Sequence, residues 1–103
     1  MNAKRIQILT DAENDLVVGR KFYDKYGKNI GDYFWDSLLS DIESLSLFAG
    51  FHRKEFGFFR LSSKRFPYVI YYDVLADLVS IVAVLPVRRN PIWIEDNISK
   101  RKS

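Results

Sequence analysis

The spacing of apolar residues along the chain changes from two to three-four and back to two, and each change marks an element. Lys4-Arg5-Ile6-Gln7-Ile8-Leu9 alternates and reads as a short strand with Ile6 and Ile8 facing inward. Thr10-Asp11-Ala12-Glu13 then has the form of a capping box, in which the Thr10 hydroxyl and the Glu13 carboxylate each satisfy the other's backbone amide. A first helix should run from there to about Tyr26, with Ala12, Leu16, Gly19, Tyr23 and Tyr26 on one stripe and Gly27 as its stop. A second helical pattern spans about Ile30 to Leu47, with Ile30, Phe34, Leu38, Ile42 and Leu45 on one face, and Ala49-Gly50 ends it. The turn between the two is short, so the helices should form an antiparallel hairpin that lays its apolar side on a sheet.

From residue 56 the period becomes extended. Phe56 to Ser62, Phe66 to Tyr72 and Leu78 to Val87 read as three strands of an antiparallel meander, joined at Ser63-Lys64-Arg65 and over Asp73 to Asp77. Pro67 has no amide proton and suits an edge position or a strand start. Asn90-Pro91 reads as an N-cap followed by proline in the first helical position, opening a short helix through about Ile98. The predicted order is β-α-α-β-β-β with a short C-terminal helix: an α+β fold with a helical hairpin packed on an antiparallel sheet. A chain of 103 residues with 48% hydrophobic content supports one core, so residues 1–103 form a single domain.

Charge changes this picture more than composition does. Residues 1–51 carry 6 basic and 8 acidic side chains and residues 52–103 carry 10 and 5, so a net −2 half precedes a net +5 half. A basic half attracts polyanions or acidic protein segments. Lys100, Arg101 and Lys102 fit a tail that serves solubility, whereas Arg60, Lys64, Arg65, Arg88 and Arg89 sit within or beside apolar strand patterns. The absence of cysteine excludes disulfides, thiol chemistry and thiolate metal sites, and with His52 as the one histidine no metal or other cofactor is expected. The half-polar N-terminus has no signal-peptide pattern, and no apolar run has the length of a membrane span, which predicts a cytoplasmic protein without membrane association.

Several strings, in this order, are similar to members of the RelE/ParE toxin superfamily. They are Ala12-Glu13-Asn14-Asp15-Leu16 with Phe22-Tyr23, then Gly57-Phe58-Phe59-Arg60, Lys64-Arg65-Phe66-Pro67-Tyr68-Val69-Ile70-Tyr71-Tyr72, Ile81-Val82-Ala83-Val84-Leu85 and Arg88-Arg89-Asn90-Pro91. The likeness is greatest to ParE-like toxins, often called plasmid stabilisation proteins, and it covers nearly the whole chain. It implies the toxin half of a type II toxin–antitoxin pair, a growth inhibitor restrained by a cognate antitoxin that wraps it in a hetero-oligomer. RelE-like members cut messenger RNA on the ribosome, and ParE-like members inhibit DNA gyrase without known hydrolysis. The resemblance places Arg60 where nuclease members carry a strand arginine, and Arg88 or Arg89 near their last-strand arginine.

Cleavage through a 2′-hydroxyl needs a cation on the phosphorane and groups that move protons. Arg60, Arg88 and Arg89 offer bidentate, permanently charged donors. Nuclease members usually place a tyrosine or histidine after the last strand, and here the last tyrosine is Tyr72 and only Trp93 is aromatic beyond Arg89. If the chain were a nuclease, His52 or Lys64 would have to carry the proton. The pattern therefore favours a gyrase inhibitor whose target-binding residues are Arg60, Lys64, Arg65, Arg88 and Arg89. An mRNA endonuclease is the alternative, and a non-toxic nucleic-acid-binding or interaction module the second. At most one of the adjacent Arg88 and Arg89 should share a surface with Arg60. Tyr68, Tyr71 and Tyr72 read either as a stacking platform for bases or as core, Tyr68 and Tyr72 on one face with Ile70 and Tyr71 on the other with Val69. Trp93 and Ile94 should pack the last helix on the sheet.

Overall fold

A computed structural model describes residues 3–101. Its elements are β1 (Arg5–Ile8), α1 (Thr10–Asp24), α2 (Lys28–Glu43), α3 (Leu45–Phe48), β2 (Lys54–Glu55), β3 (Phe58–Ser62), β4 (Tyr68–Leu75), β5 (Leu78–Pro86) and α4 (Pro91–Ser99). The sheet order is β1-β5-β4-β3-β2, with β1 parallel to β5 and every other pair antiparallel. The α+β architecture expected from the periodicity is present: the α1–α2 hairpin covers one face, and α4 covers part of the other.

Coverage on both faces explains the unbroken buried runs Tyr68 to Tyr72 and Ile81 to Leu85, since neither side of these central strands meets water. Tyr68, Ile70 and Tyr72 enter the core under the hairpin with Leu16, Phe34 and Leu38, whereas Val69 and Tyr71 enter the core under α4 with Ile94 and Ile98. The tyrosines are core residues and follow the predicted alternation. A bulge opposite Tyr71 and Tyr72 leaves Val82 as the extra residue of β5, so that Val82 and Ala83 both face α4. Gly19 faces the Phe34 ring, and any Cβ there would overlap it, which is how α1 and α2 come this close. Tyr23 stacks on Phe34 with ring centroids 5.1 Å apart, and an Arg20–Asp32 ion pair ties the helices outside the core. Each buried Leu, Ile or Phe of this interior contributes roughly 1.5–3 kcal/mol.

Several sequence expectations need correction. Thr10 does not cap α1; Leu9 precedes the helix in extended conformation, its carbonyl accepts from the Glu13 amide, and no side chain caps the end. The parallel ladder to β5 carries the chain into the helix here, so a hydroxyl cap is not needed to set its start. Ile8 is 36% exposed because β1 is the edge strand, while Ile6 packs on the hairpin core. Tyr26 lies past the end of α1 and is 66% exposed, and Ile30 in the first turn of α2 is 39% exposed. The second helix breaks at Ser44, whose hydroxyl bonds the Asp41 carbonyl and competes with the helical ladder, so α2 and α3 are separate. The strand expected from Phe56 begins at Phe58. Phe56 and Gly57, with φ of 57° and 86°, form a two-residue turn that joins β3 to the added strand β2. The β4–β5 turn is only Ala76-Asp77. Pro67 stands at a strand start, and Asn90 caps α4 by accepting from the Ile92 amide at 2.7 Å, both as expected.

Candidate functional site

The sheet divides the candidate residues between its faces. Phe58 and Arg60 point toward α4, because their strand partner across from Arg60 is Tyr71, and Phe59 and Leu61 point toward the hairpin. On the α4 face a small hollow of about 130 Å³ is lined by Arg60, Glu55, Tyr71, Val87, Arg89 and Ile94. Arg60 Nε lies 3.0 Å from Glu55 Oε1, close enough for an ion pair but not aligned to donate a hydrogen bond. The Tyr71 hydroxyl donates to the same Glu55 oxygen at 3.1 Å. Burial, and secondarily the nearby Glu55 charge, raises the Tyr71 phenol above its ordinary value. Tyr71 is 1% exposed, and its hydroxyl is already engaged with Glu55.

Arg88 and Arg89 follow β5 in a turn that is half free of the sheet, and both side chains are exposed. Arg89 stacks over Trp93 of α4 at 4.5 Å from the ring centroid, a geometry that orients the guanidinium while leaving its edge open. Arg89 also lines the Arg60 hollow and Arg88 does not, in keeping with one shared surface rather than two. Both border a larger groove of about 480 Å³ that runs between α1 and α4 along the end of β5. Its α1 wall offers Asp15, Val18, Gly19 and Phe22, and its α4 wall offers Trp93, Asn97 and Arg101.

Arg101 corrects the expectation of a solubility tail. It reaches Asp15 with both terminal nitrogens, at 2.5 and 3.0 Å, and also donates to the Val82 carbonyl at 3.2 Å and to Asn97 at 2.7 Å. Asp15 additionally accepts from the Val84 amide at 2.9 Å. Burial outweighs these bonds and raises the Asp15 carboxyl above its usual range, with Arg101 and the Val84 amide pulling it back. Lys102, the other end of that expected tail, lies outside the described residues, and Lys100 is exposed.

His52 is on the wrong face to assist Arg60. Its Nδ1 lies 2.5 Å from the hydroxyl of Tyr72, a residue of the hairpin-side core, and the sheet stands between the two. Burial lowers its pKa from 6.5. Lys64 and Arg65 are exposed in the β3–β4 connection and line neither hollow. That connection is tied down by buried Asp41 of α2, which accepts from the Ser63 hydroxyl at 2.8 Å and the Lys64 amide at 3.2 Å. Among the described residues no group of His, Asp or Glu is arranged to hold a metal ion.

The sequence signals for Glu55, Asp15 and Arg101 were faint. Asp15 sits three residues from Ala12 and four from Gly19, at the margin of the buried stripe, which is the available hint that its carboxylate has an internal partner.

No protein-family model matches the chain, and a search of curated proteins found no match. Among solved structures, a chain of the chromosomal ParDE TA system from P. aeruginosa is similar, with a TM-score of 0.75 at 15% identity over 84% of this chain and 98% of that one. The fold is ParE-like. In this ParE-like fold Arg88, Arg89 and Arg101 meet at one end of the sheet, where β5 runs out between α1 and α4. Among the described residues no helix is long and apolar enough to cross a membrane.

Proposed function

We propose that the chain is the toxin component of a type II toxin–antitoxin pair and arrests growth by acting on DNA gyrase. The observation that carries this reading is the ParE-like fold, matched over 98% of a chain from a ParDE toxin–antitoxin system. The sequence strings that resemble ParE-like toxins support it independently. Arg88 and Arg89, and behind them Arg60, are the contact residues for the target, with Lys64 and Arg65 as a separate basic tip. Gyrase confines this activity to the cytoplasm. The cognate antitoxin is an acidic or amphipathic segment that neutralises the same basic end.

Proton-transfer groups support the inhibitor reading over the nuclease one. Near Arg60 the available phenol, Tyr71, is buried and already donates to Glu55, and His52 lies across the sheet. Inducible expression of the chain alone tests the choice. Growth arrest with induction of the DNA-damage response and intact messages is the expected outcome, lost in an Arg60→Ala, Arg88→Ala, Arg89→Ala triple variant. Arrest with cleaved messages and no damage response would replace it with the nuclease reading.

A further inference from the structure

The strand tyrosines that could have stacked on bases are core residues, yet a second set of rings reaches the surface. Phe22 and Tyr23 occupy the last turn of α1, Tyr26 follows it, Tyr33 lies in the second turn of α2 and Phe66 in the β3–β4 connection. The fold brings them into one row. From Tyr33 to Phe66, Tyr23, Phe22 and Tyr26, successive ring centroids are 5.4, 4.9, 5.1 and 5.7 Å apart. The buried Phe34 ring backs the row from inside, 5.1 Å from Tyr23 and 5.2 Å from Phe66, and so fixes its middle. Its ends face solvent, Tyr26 at 66% and Tyr33 at 52% exposure. Contacts along the row are tilted or edge-on, with interplanar angles from 58° to 87°, so no ring is consumed in a face-to-face stack with its neighbour in the row. Contiguous exposed apolar surface marks a contact site, whereas scattered exposed rings would not.

Cations flank the row. Lys25 Nζ lies 5.8 Å from the Phe22 ring centroid, Lys28 opens α2 just after Tyr26, and the exposed Lys64 and Arg65 directly precede Phe66. Burial raises the Tyr23 phenol above its ordinary value and the Arg88 charge pulls it back, so Arg88 faces the row from the end of β5. Of the acids in the same segments, Asp32 is paired with Arg20 and Asp24 lies over Gly31 between the helices, which leaves Asp36. A ligand that suits this surface needs flat apolar faces and negative charge together. An acidic peptide brings the charge without the faces, and a duplex keeps its base faces in its own stack. An unpaired strand offers both. We propose that the row is a platform for single-stranded nucleic acid, on which bases stack against Tyr33, Phe66 and Tyr26 while the neighbouring lysines and arginines hold the phosphates. Rings and cations read base faces and phosphates, which DNA and RNA share, so the platform takes either strand. Phe22 and Arg88 also border the larger groove, but Tyr26, Tyr33 and Phe66 border neither hollow. The platform does not depend on the toxin reading, since its rings and charges are in place whatever the chain does to growth.

The test is fluorescence anisotropy of the purified full chain with a labelled oligothymidine, its oligouridine counterpart, a duplex of the same length and an abasic strand that keeps the phosphates without the bases. The expected result is saturable binding of both single strands, weakening more than about tenfold between roughly 50 and 200 mM salt, with the duplex and the abasic strand at least about tenfold weaker. Tyr33→Leu, which keeps an apolar side chain but removes the flat ring, should weaken binding roughly tenfold, and Tyr33→Trp should restore it. Lys64→Glu, Arg65→Glu should weaken it and flatten the salt dependence. Leu75→Ala, an exposed position at the far end of β4, should leave it unchanged. The leucine variant's melting temperature, compared with that of the wild type, separates lost stacking from lost folding. Abasic or duplex DNA binding as tightly as the single strands would overturn the proposal. So would strands that do not bind, a leucine variant that binds like the wild type, preference for one sugar, or polyglutamate that displaces the strand at equal charge, since an acidic protein segment would then be the occupant.

Discussion

Partial burial disfavours the charged form of His52. The Gly50 amide donates to the Tyr72 oxygen at 3.0 Å, and the same hydroxyl shares a hydrogen bond with Nδ1 of the imidazole. Burial lowers the folded pKa, so the unfolded chain takes up a proton near pH 6.5 where the folded chain resists it. The contribution of His52 to stability should therefore be complete above that pH and be lost as the pH drops through 6.5 toward the lower folded value. Melting temperatures of the wild type and His52→Gln, compared from about pH 8 to about pH 5, check this. The wild type should lose more on acidification, and parallel curves would contradict the sign. Residue type alone suggested a stand-in catalytic group. Its real role depends on Tyr72, 20 positions away, and no local pattern announces that pairing. The same holds for Arg101 and Asp15, 86 positions apart, where a basic residue near the terminus looked like one more solvated charge.

At the scale of elements, what was legible followed from period and from caps with strong chemistry. The two long helices, the three main strands and the Asn90 cap could all be read because each is written in contiguous residues. β2 could not, since Lys54-Glu55 is too short and polar to show alternation and exists only through pairing with β3. The break at Ser44 is likewise invisible to a periodicity that continues into Leu45. The β4–β5 turn was read too long because Ala76 gives no turn signal, yet it holds a φ of 54°, a left-handed conformation that costs a residue bearing a Cβ about 1 kcal/mol. Ala76→Gly should consequently raise stability by about 0.5–1 kcal/mol in a denaturant titration. A loss of stability would mean that the methyl group makes contacts outweighing the strain.

At the scale of the whole molecule, Arg88, Arg89 and Arg101 meet where β5 runs out between α1 and α4. The fold itself was readable from the sequence, but the gathering of Arg88, Arg89 and Arg101 around the end of β5 was not, because it depends on where β1 stops and where α4 returns. On the toxin reading proposed above, a target and a restraining partner would compete for that one basic end. Lys64 and Arg65, exposed in another loop, are free of that competition. The most direct test of the central claim is the supercoiling activity of purified DNA gyrase in the presence of the purified chain. The account predicts that supercoiling stops in proportion to added chain and that Arg88→Glu, Arg89→Glu relieves the block. Unimpaired supercoiling at a clear molar excess of the wild-type chain would contradict it.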